Sequence, residues 1–189
     1  MPRGLLRVFV MPDELSPFVA SGRLVGIRRP TVGDREEFVT LARGSVEFLR
    51  PWTDPPATDE RFDEYLRGRQ GAGDEGVLVC EIESGRIAGV INVSCIVRGF
   101  FQSAFVGYWI GEPFARRGYM TEGLRLLMGY AFGEMKLHRL EANIQPGNLA
   151  SIALVRRCGF MKEGLSPKYL RIFGEWRDHE RWAVRAEGE

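Results

Sequence analysis

One stretch of this chain, from Ala104 to Ile144, limits the possible folds more than any other. An apolar strand pattern over Ala104–Ile110 leads into a basic turn at residues 115–120, Ala-Arg-Arg-Gly-Tyr-Met, and apolar residues then recur at helical spacing from Tyr119 to Phe132. A second strand pattern runs from His138 to Ile144. Two strands separated by one helix are expected to lie parallel in one sheet, joined by a right-handed crossover. The sequence therefore predicts an α/β protein.

Patterns in the rest of the chain predict the element order β-α-α-β-β-β-α-β-α-β-β. The strands are predicted at residues 23–29, 77–82, 86–97, 101–110, 138–144, 161–169 and 170–184, and the helices at residues 34–50, 58–70, 119–132 and 148–157. Ligands in such sheets bind at the carboxyl ends of parallel strands. We therefore expect a binding site at the end of the sheet that Ile110 and Ile144 mark.

Composition and charge restrict the class of protein. Residues 21–189 are predicted to form a single domain after an N-terminal extension at residues 1–20, because 189 residues suffice for one well-filled core. The 26 basic and 25 acidic residues leave a net charge of +1, which requires no nucleic-acid partner. No segment has the length and apolar character of a membrane span. Three cysteines without framework spacing favour a reducing cytoplasm, and two isolated histidines predict no metal site.

The basic turn has the properties of an anion-binding site. The first backbone N–H groups of a helix have no partner within it, and the helix dipole favours an anion in front of them. Gly118 lets the turn close without a Cβ, Arg116 and Arg117 add positive charge, and Thr121 and Glu122 are typical of a first helical turn. An ordinary basic loop before an ordinary helix would contain the same residues, so the turn alone leaves both interpretations open.

In this context the chain resembles the GNAT superfamily of N-acetyltransferases, and within it the RimJ/RimL-like branch that acetylates the N-terminal alanine of ribosomal proteins. The pyrophosphate loop of that superfamily is Gln/Arg-x-x-Gly-x-Gly/Ala. Residues 115–120 keep its spacing and its central glycine and depart from it at Ala115 and Met120. The resemblance extends from Leu24 to Val184 through the matching segments 48–52, 92–99, 107–111, 137–142, 148–151, 159–160 and 174–179.

This resemblance implies a fold and a cosubstrate. The fold would be a mixed central sheet of about seven strands with helices on both faces, and the cosubstrate would be acetyl-CoA, without a metal. The strand that ends at Ile110 would be bulged and would part from the strand that contains Glu141, which leaves a slot for the pantetheine arm. Main-chain groups of Trp109, Ile110 and Gly111 would bind that arm. The diphosphate would be held by Arg116, Arg117, Gly118, Tyr119, Met120 and Thr121.

Two residues of the helix predicted at 148–157 have implied roles, each with an alternative. Asn148 resembles the residue whose amide binds pantetheine, and an asparagine at that position equally suits a helix N-cap. Ser151 matches a residue that donates to the departing thiolate in relatives, although a serine in a first helical turn also bonds the backbone. Some relatives use a tyrosine one turn later, where this chain has Val155.

Glu141 is the candidate general base. Alternation along residues 139–144 places Arg139, Glu141 and Asn143 on one face. A carboxylate within a central strand is costly unless it is paired or takes part in catalysis, and related ribosomal-protein acetyltransferases use a glutamate at the corresponding position. A structural ion pair with Arg139 is an equally good explanation. Another branch places a carboxylate before a tyrosine of the terminal strands, where this chain has Lys168.

The acceptor side is less well defined by the sequence. Trp52 and Tyr108 are candidates to line a slot for a peptide terminus, or they belong to the core. The resemblance implies direct transfer to the N-terminal alanine of a ribosomal protein, in a ternary complex, by a cytoplasmic monomer or homodimer. A small-amine acetyltransferase, which an acidic enclosed pocket would favour, and a CoA-binding module without turnover are the alternatives.

Overall fold

A computed structural model describes residues 18–69 and 73–186. The strands are β1 (Ala20–Ser21), β2 (Val25–Arg28), β3 (Glu75–Glu81), β4 (Ile87–Val97), β5 (Ser103–Ile110), β6 (Arg139–Ile144), β7 (Met161–Ile172) and β8 (Glu175–Arg185). The helices are α1 (Arg35–Gly44), α2 (Val46–Leu49), α3 (Asp59–Gly68), α4 (Tyr119–Gly133) and α5 (Leu149–Arg157).

All eight strands belong to one sheet in the order β1-β2-β3-β4-β5-β6-β8-β7. Strands β5 and β6 are parallel neighbours, and the other neighbouring pairs are antiparallel. This confirms the predicted α/β class and the predicted crossover through α4. The eighth strand is β1, whose two residues, Ala20 and Ser21, pair with Ile27 and Gly26 and are too few to give a strand pattern in the sequence.

Three predicted elements differ from the structure. The helix predicted at residues 34–50 is interrupted at Ser45, where φ is −111° and the hydroxyl accepts a hydrogen bond from the N–H of Glu112 at 3.0 Å. The last two strands, predicted to turn at Gly174-Glu175, turn one residue earlier, at residues 173–174, so β7 extends to Ile172 and not only to Tyr169. The predicted extension up to residue 17 and the predicted helix end at Gln70 lie outside the described residues.

Helices cover both faces of the sheet because successive strand residues point to opposite sides. One face packs against α4 and α5 through a core that includes Val79, Leu124 and Leu140. The opposite face packs against α1 and α3 through Phe38, Phe62 and Trp109, among others. Burial of apolar area on both sides fixes the sheet, so the carboxyl ends of β5 and β6 lie between the two helical layers.

A β-bulge lies on β4, beside the point where β5 and β6 are paired. Ser94 pairs with Phe105 and Val97 with Ser103, so two residues of β4 lie opposite one residue of β5. One of the two, Cys95, has a φ of +53°. The implied bulge on the strand that ends at Ile110 is therefore wrong in position, because the extra residue belongs to the neighbouring strand. A bulge increases local twist, and this one twists β5 where it leaves β6.

Gly89 permits the close approach of β4 to the end of β5. A Cβ at this position would lie 2.5 Å from the main-chain oxygen of Trp109. We expect Gly89→Ala to lower the free energy of unfolding by about 1–3 kcal/mol, because the added methyl group must push backbone atoms apart. Gly107→Ala on the adjacent strand is the matched control, since nothing lies within 4 Å of its Cβ. Chemical denaturation of both variants checks this, and equal stabilities would contradict it.

Candidate active site

The two parallel strands separate after a short paired stretch. Pairing joins Ser103 to Arg139, Ala104 to Leu140 and Phe105 to Glu141, and no pairing between β5 and β6 continues beyond these residues. Strand β5 nevertheless extends to Ile110 and β6 to Ile144. The implied parting of the two strands is therefore present, and a gap opens between their carboxyl ends.

Main-chain groups of β5 line one side of this gap. The N–H of Gly111 donates to the carbonyl of Ala88 at 2.8 Å, which directs this residue towards β4. The direction of the main-chain N–H and C=O groups alternates along a strand. Those of Trp109 therefore also point to β4, whereas those of Val106, Tyr108 and Ile110 point into the gap. Of the three main-chain donors that the resemblance implied, Trp109 and Gly111 are thus directed away from the gap, and Ile110 remains.

A cavity of about 1830 Å³ occupies the gap and opens on both faces of the sheet. One half is lined by the turn between β1 and β2, the start of α4 and helix α5. The other half is lined by α2 and the loop after it, by Gln145, and by residues of β7 and β8. A ligand that passes through the gap would therefore contact both halves, and we call them the α4 half and the β8 half.

The basic turn forms the floor of the α4 half. Gly118, the N-cap residue of α4, has a φ of +83°, and Arg116 also has a left-handed φ of +62°. No side chain caps the helix, and its first intrahelical bond is donated by Glu122 to Gly118. The N–H groups of residues 119–121 precede that bond, and all three residues line the cavity. Alternating left-handed residues before an open helix start produce an anion-binding concavity.

Most of the predicted turn residues line the cavity. They are Arg116, Gly118, Tyr119, Met120 and Thr121. Arg117 does not, because its guanidinium lies over the ring of Phe114, 5.8 Å from the centroid.

Three further arginines line the α4 half and were missed in the sequence. They are Arg23, Arg125 and Arg157, and Arg125 donates to the carbonyl of Arg157 at 2.9 Å. The lining carboxylate of this half, Glu122, accepts a hydrogen bond from the N–H of Leu24 at 2.9 Å. The α4 half is therefore strongly cationic, which suits a ligand with several phosphate groups.

The start of α5 confirms one alternative for Asn148. Its Oδ1 accepts the N–H of Ser151 at 3.1 Å, so Asn148 is the N-cap of the helix. The hydroxyl of Tyr108 approaches the carbonyl of Ser151 at 3.4 Å across the mouth of the gap. Burial raises the pKa of Tyr108, against the opposing effect of its hydrogen bond to Ser151, so the hydroxyl remains protonated and can donate. Asn148, Ser151 and Tyr108 all line the cavity.

Glu141 lies elsewhere. It belongs to the last residue pair before β5 and β6 separate. It does not line the cavity, since the first lining residue on β6 is Ala142. Its carboxylate accepts a hydrogen bond from Arg139 at 2.9 Å, and the same guanidinium binds Glu163. The ion pair with Arg139 that the sequence left open is therefore present. Asn143, two residues farther along β6, does line the cavity.

Aromatic and aliphatic side chains form most of the β8 half. Trp52 lies over Gly147, whose Cβ, if present, would be 3.2 Å from the indole ring. The other apolar lining residues of this half are Phe48, Leu49, Leu170 and Ile172. No carboxylate is among the described residues that line this half. Trp52 thus lines the cavity, and its role in a slot for a peptide terminus stays a prediction.

His179 on β8 also lines this half; it ends the matching segment 174–179, but no role was predicted for it. The ring is buried, with 3% of its surface exposed, and its Nδ1 lies 2.9 Å from the carbonyl oxygen of Arg177. The ring of Tyr169 lies 6.3 Å from it, measured between centroids. Tyr169 belongs to a stretch of β7 between Ser166 and Leu170 where the pairing with β8 is irregular.

Neither buried cysteine is suited to act as a nucleophile. Burial raises the pKa of Cys158, which lies near the start of α4, and raises the pKa of Cys80 to about 11. Thiolate is the reactive form, so both thiols are inert at neutral pH. Direct transfer without an acetyl-cysteine is consistent with these environments.

Two features are absent from residues 18–69 and 73–186. No helix there is long and apolar enough to cross a membrane. No group of three or more His, Cys, Asp or Glu side chains in these ranges is arranged to hold a metal ion.

Comparisons with known proteins agree with this geometry. A family model described as an acetyltransferase (GNAT) domain matches residues 24–161. The "Probable N-acetyltransferase YjcK" of Bacillus subtilis (strain 168) is 32% identical over 86% of this chain and 94% of its own length. The "[Ribosomal protein uS5]-alanine N-acetyltransferase" of Escherichia coli (strain K12) is 43% identical over 70% of this chain and 72% of its own. The structure of Mycobacterium smegmatis RimJ in complex with CoA-disulfide has a TM-score of 0.80 and 25% identity, covering 86% of this chain and 82% of that one.

Gly118 tests the role of the turn. Its Cβ would meet only Leu24, at 3.8 Å, so the restriction is the φ of +83° and not a lack of space. We expect Gly118→Ala to lower the free energy of unfolding by about 1–2 kcal/mol, because a left-handed conformation is unfavourable for alanine, and to weaken CoA binding as the turn relaxes.

The control is Gly133→Ala at the other end of α4, where nothing lies within 4 Å of the added Cβ and φ is not left-handed. Alanine is the better helix former, so this variant should keep the wild-type CoA affinity. Calorimetric titration with CoA and thermal melting compare the two variants. Wild-type affinity and stability in Gly118→Ala would contradict the assignment.

Proposed function

Because this chain belongs to the GNAT family of acetyltransferases, we propose that it transfers acetyl from acetyl-CoA to the N-terminal α-amine of a protein, specifically the N-terminal alanine of a ribosomal protein. The single observation that carries this proposal is the contrast between the two halves of the cavity. The α4 half is cationic and the β8 half is open and apolar. Activity in the cytoplasm, where ribosomal proteins are made, is part of the same proposal. A monomeric or homodimeric state stays a prediction.

The α4 half fits acetyl-CoA. Its unpaired N–H groups at the start of α4 suit a diphosphate, and Arg23, Arg116, Arg125 and Arg157 add positive charge around them. An arm that extends from the diphosphate into the gap meets the unpaired edge of β5, and the N–H and C=O groups there can bond it as they would an added strand. When bound, acetyl-CoA supplies an acetyl thioester to the part of the gap between Ile110 and Ile144.

Residues around the thioester have separable roles in this proposal. The N–H of Ile110, which points into the gap, is the candidate to polarise the carbonyl oxygen. Ser151 is the candidate to donate a hydrogen bond to the departing sulfur, and it stands beside the protonated hydroxyl of Tyr108. Val155, at the place where some relatives have a tyrosine, is completely buried in the core, so it takes no part.

The β8 half favours a peptide over a polyamine as the acceptor. A polyamine carries several positive charges, and a site selective for it needs carboxylates, which the described lining of this half lacks. Trp52 and the aliphatic residues of β7 instead suit the backbone and small side chains of an extended N-terminus. The E. coli relative is named for alanine acetylation of ribosomal protein uS5, and this supports the same acceptor here.

Release of free CoA thiol tests the acceptor. With a ten-residue peptide that begins with alanine and follows a ribosomal-protein N-terminus, we expect a kcat/KM at least about 10²-fold above that for spermidine, since charge and shape both discriminate. Mass spectrometry should find one acetyl group on the α-amine. Preferential use of spermidine would contradict the proposal, and CoA binding without release for either acceptor would favour a module without turnover.

Trp52→Ala should raise KM for the same peptide by about tenfold, because an aromatic contact contributes roughly 0.5–1.5 kcal/mol beyond its buried area. Its affinity for CoA should be unchanged, since Trp52 lies in the β8 half. The matched control is Phe100→Ala, which truncates a fully exposed aromatic side chain between β4 and β5. Steady-state kinetics with each variant measure this. An unchanged KM in Trp52→Ala would remove that residue from the acceptor site.

A further inference from the structure

We infer that His179 is the general base of this reaction and that its Nε2 accepts the proton of the attacking amine. The inference rests on the proposed function, because it assigns a role within the same site. Its basis is the position of the ring in the β8 half, the hydrogen bond that fixes the ring, and the distance of Glu141 from the cavity.

The hydrogen bond at Nδ1 determines the protonation pattern of the neutral ring. A carbonyl oxygen can only accept, and the Arg177 carbonyl lies 2.9 Å from Nδ1, so Nδ1 carries the proton. Nε2 then has a free lone pair. Nε2 has no hydrogen-bond partner among the described residues. It is also not among the side-chain nitrogen and oxygen atoms that are fully buried without a partner. The ring therefore presents a basic nitrogen to the cavity.

The position of His179 in the sheet is appropriate for an incoming amine. Ile144 pairs with Glu180, so His179 is one residue beyond the last pair of β6 and β8, beside Gln145 at the carboxyl end of β6. Alternation places it on the same face as Arg181 and opposite to Trp182. That face carries the β8 half of the cavity, whereas Trp182 belongs to the core under α4 and α5.

Glu141 is a poorer candidate for the same step. Its carboxylate is already engaged in an ion pair with the guanidinium of Arg139, at 2.9 Å. It also belongs to the paired part of the sheet, outside the described lining of the cavity. His179 is the titratable side chain among the residues that line the β8 half and that this structure describes.

In the proposed step Nε2 first takes a proton from the ammonium form of the bound acceptor, and the lone pair that this frees forms a bond to the acetyl carbonyl carbon. The carbon–sulfur bond then breaks, and the sulfur leaves as the thiolate, to which Ser151 donates a hydrogen bond. The second proton, which the nitrogen loses as the amide forms, neutralises this thiolate. The resulting imidazolium returns its proton to solvent. Tyr169 of β7 lies 6.3 Å from the ring, measured between centroids. On β8, alternation places Arg177 and Arg181 on the face of the ring and Asp178 and Glu180 on the opposite face. Gln145 and Trp52, which line the same half of the cavity, are uncharged.

Substitution by asparagine separates the base from the structural hydrogen bond. An asparagine amide can still donate to the Arg177 carbonyl but has no basic nitrogen at the position of Nε2. At pH 7 we expect His179→Asn to lower kcat by about 10²-fold or more, as loss of a general base does. The deficit should shrink to within about tenfold above pH 9, because a peptide α-amine, with a pKa near ~8, is then already neutral. CoA affinity should stay at the wild-type value.

The other histidine provides the matched control. His138 precedes β6 at the end of the sheet remote from the cavity, so His138→Asn should leave the pH profile unchanged. Glu141→Gln is the competing variant. A loss of kcat in His179→Asn that is the same at every pH would overturn the assignment. It would also be overturned if the fall of kcat at low pH disappeared in Glu141→Gln and persisted in His179→Asn.

Nitrogen NMR of histidine-labelled protein tests the ring without any turnover. Only two histidines contribute signals, and His179→Asn identifies which belongs to residue 179. We expect the neutral ring to carry its proton on Nδ1. A proton on Nε2 would overturn the assignment whatever the acceptor is. Failure of the wild-type enzyme to acetylate any Ala-starting peptide would instead contradict the proposed function.

Discussion

The early separation of β5 and β6 is the constraint on which the site depends. If the strands remained paired to their ends, the main chain of Val106, Tyr108 and Ile110 would be bonded to β6 and no cavity would exist. An unpaired strand edge is unfavourable inside a protein unless a ligand or solvent satisfies it. The β4 bulge lies opposite the residues of β5 that are last paired with β6, where a bulge increases the local twist. The hydroxyl of Tyr108 reaches the carbonyl of Ser151 on α5. Core packing on both faces of the sheet holds these elements in place.

The same separation divides the chemistry between two faces of the sheet. On one face, the open start of α4 and several guanidinium groups form an environment for phosphate. On the other, Trp52, aliphatic residues of β7 and the His179 ring form an environment for a neutral amine and the first residues of a peptide. In the proposed reaction the acetyl thioester and the amine would meet in the gap, with the charged groups of the cosubstrate remote from the nucleophile. The two halves of the cavity would then serve a highly charged cosubstrate and an acceptor in an apolar slot.

Sequence patterns identified the parts of this arrangement that are local. The turn at residues 115–120 and the crossover through α4 depend on consecutive residues, and both are present. Arg125 lies four residues after Thr121 and therefore on the same face of α4, so helical spacing is a local signal for its place in the site. The bulge was expected on the wrong strand, because the sequence of β5 does not reveal the extra residue in β4.

Other features depend on contacts between distant residues. The residue at which β5 stops pairing with β6 decides whether Glu141 lies in the cavity or in the paired sheet beside Arg139. The bond to the Ala88 carbonyl decides the direction of the Gly111 N–H. His179 is isolated in the sequence, and only the pairing of β6 with β8 brings it to the site. No local pattern could show that its Nδ1 is already bonded. The interruption at Ser45 likewise arises from a contact with Glu112.

Amide hydrogen exchange, followed by NMR with and without CoA, is the measurement that tests the central claim most directly. The account predicts that saturating CoA slows exchange for at least one of the β5 amides that point into the gap, Val106, Tyr108 and Ile110, and for amides at the start of α4. Exchange of Phe105 and Gly107, whose N–H groups point to β4, should change little. Unchanged exchange at all three gap-facing amides, with CoA bound, would contradict the claim that the parted strand edge receives the cosubstrate.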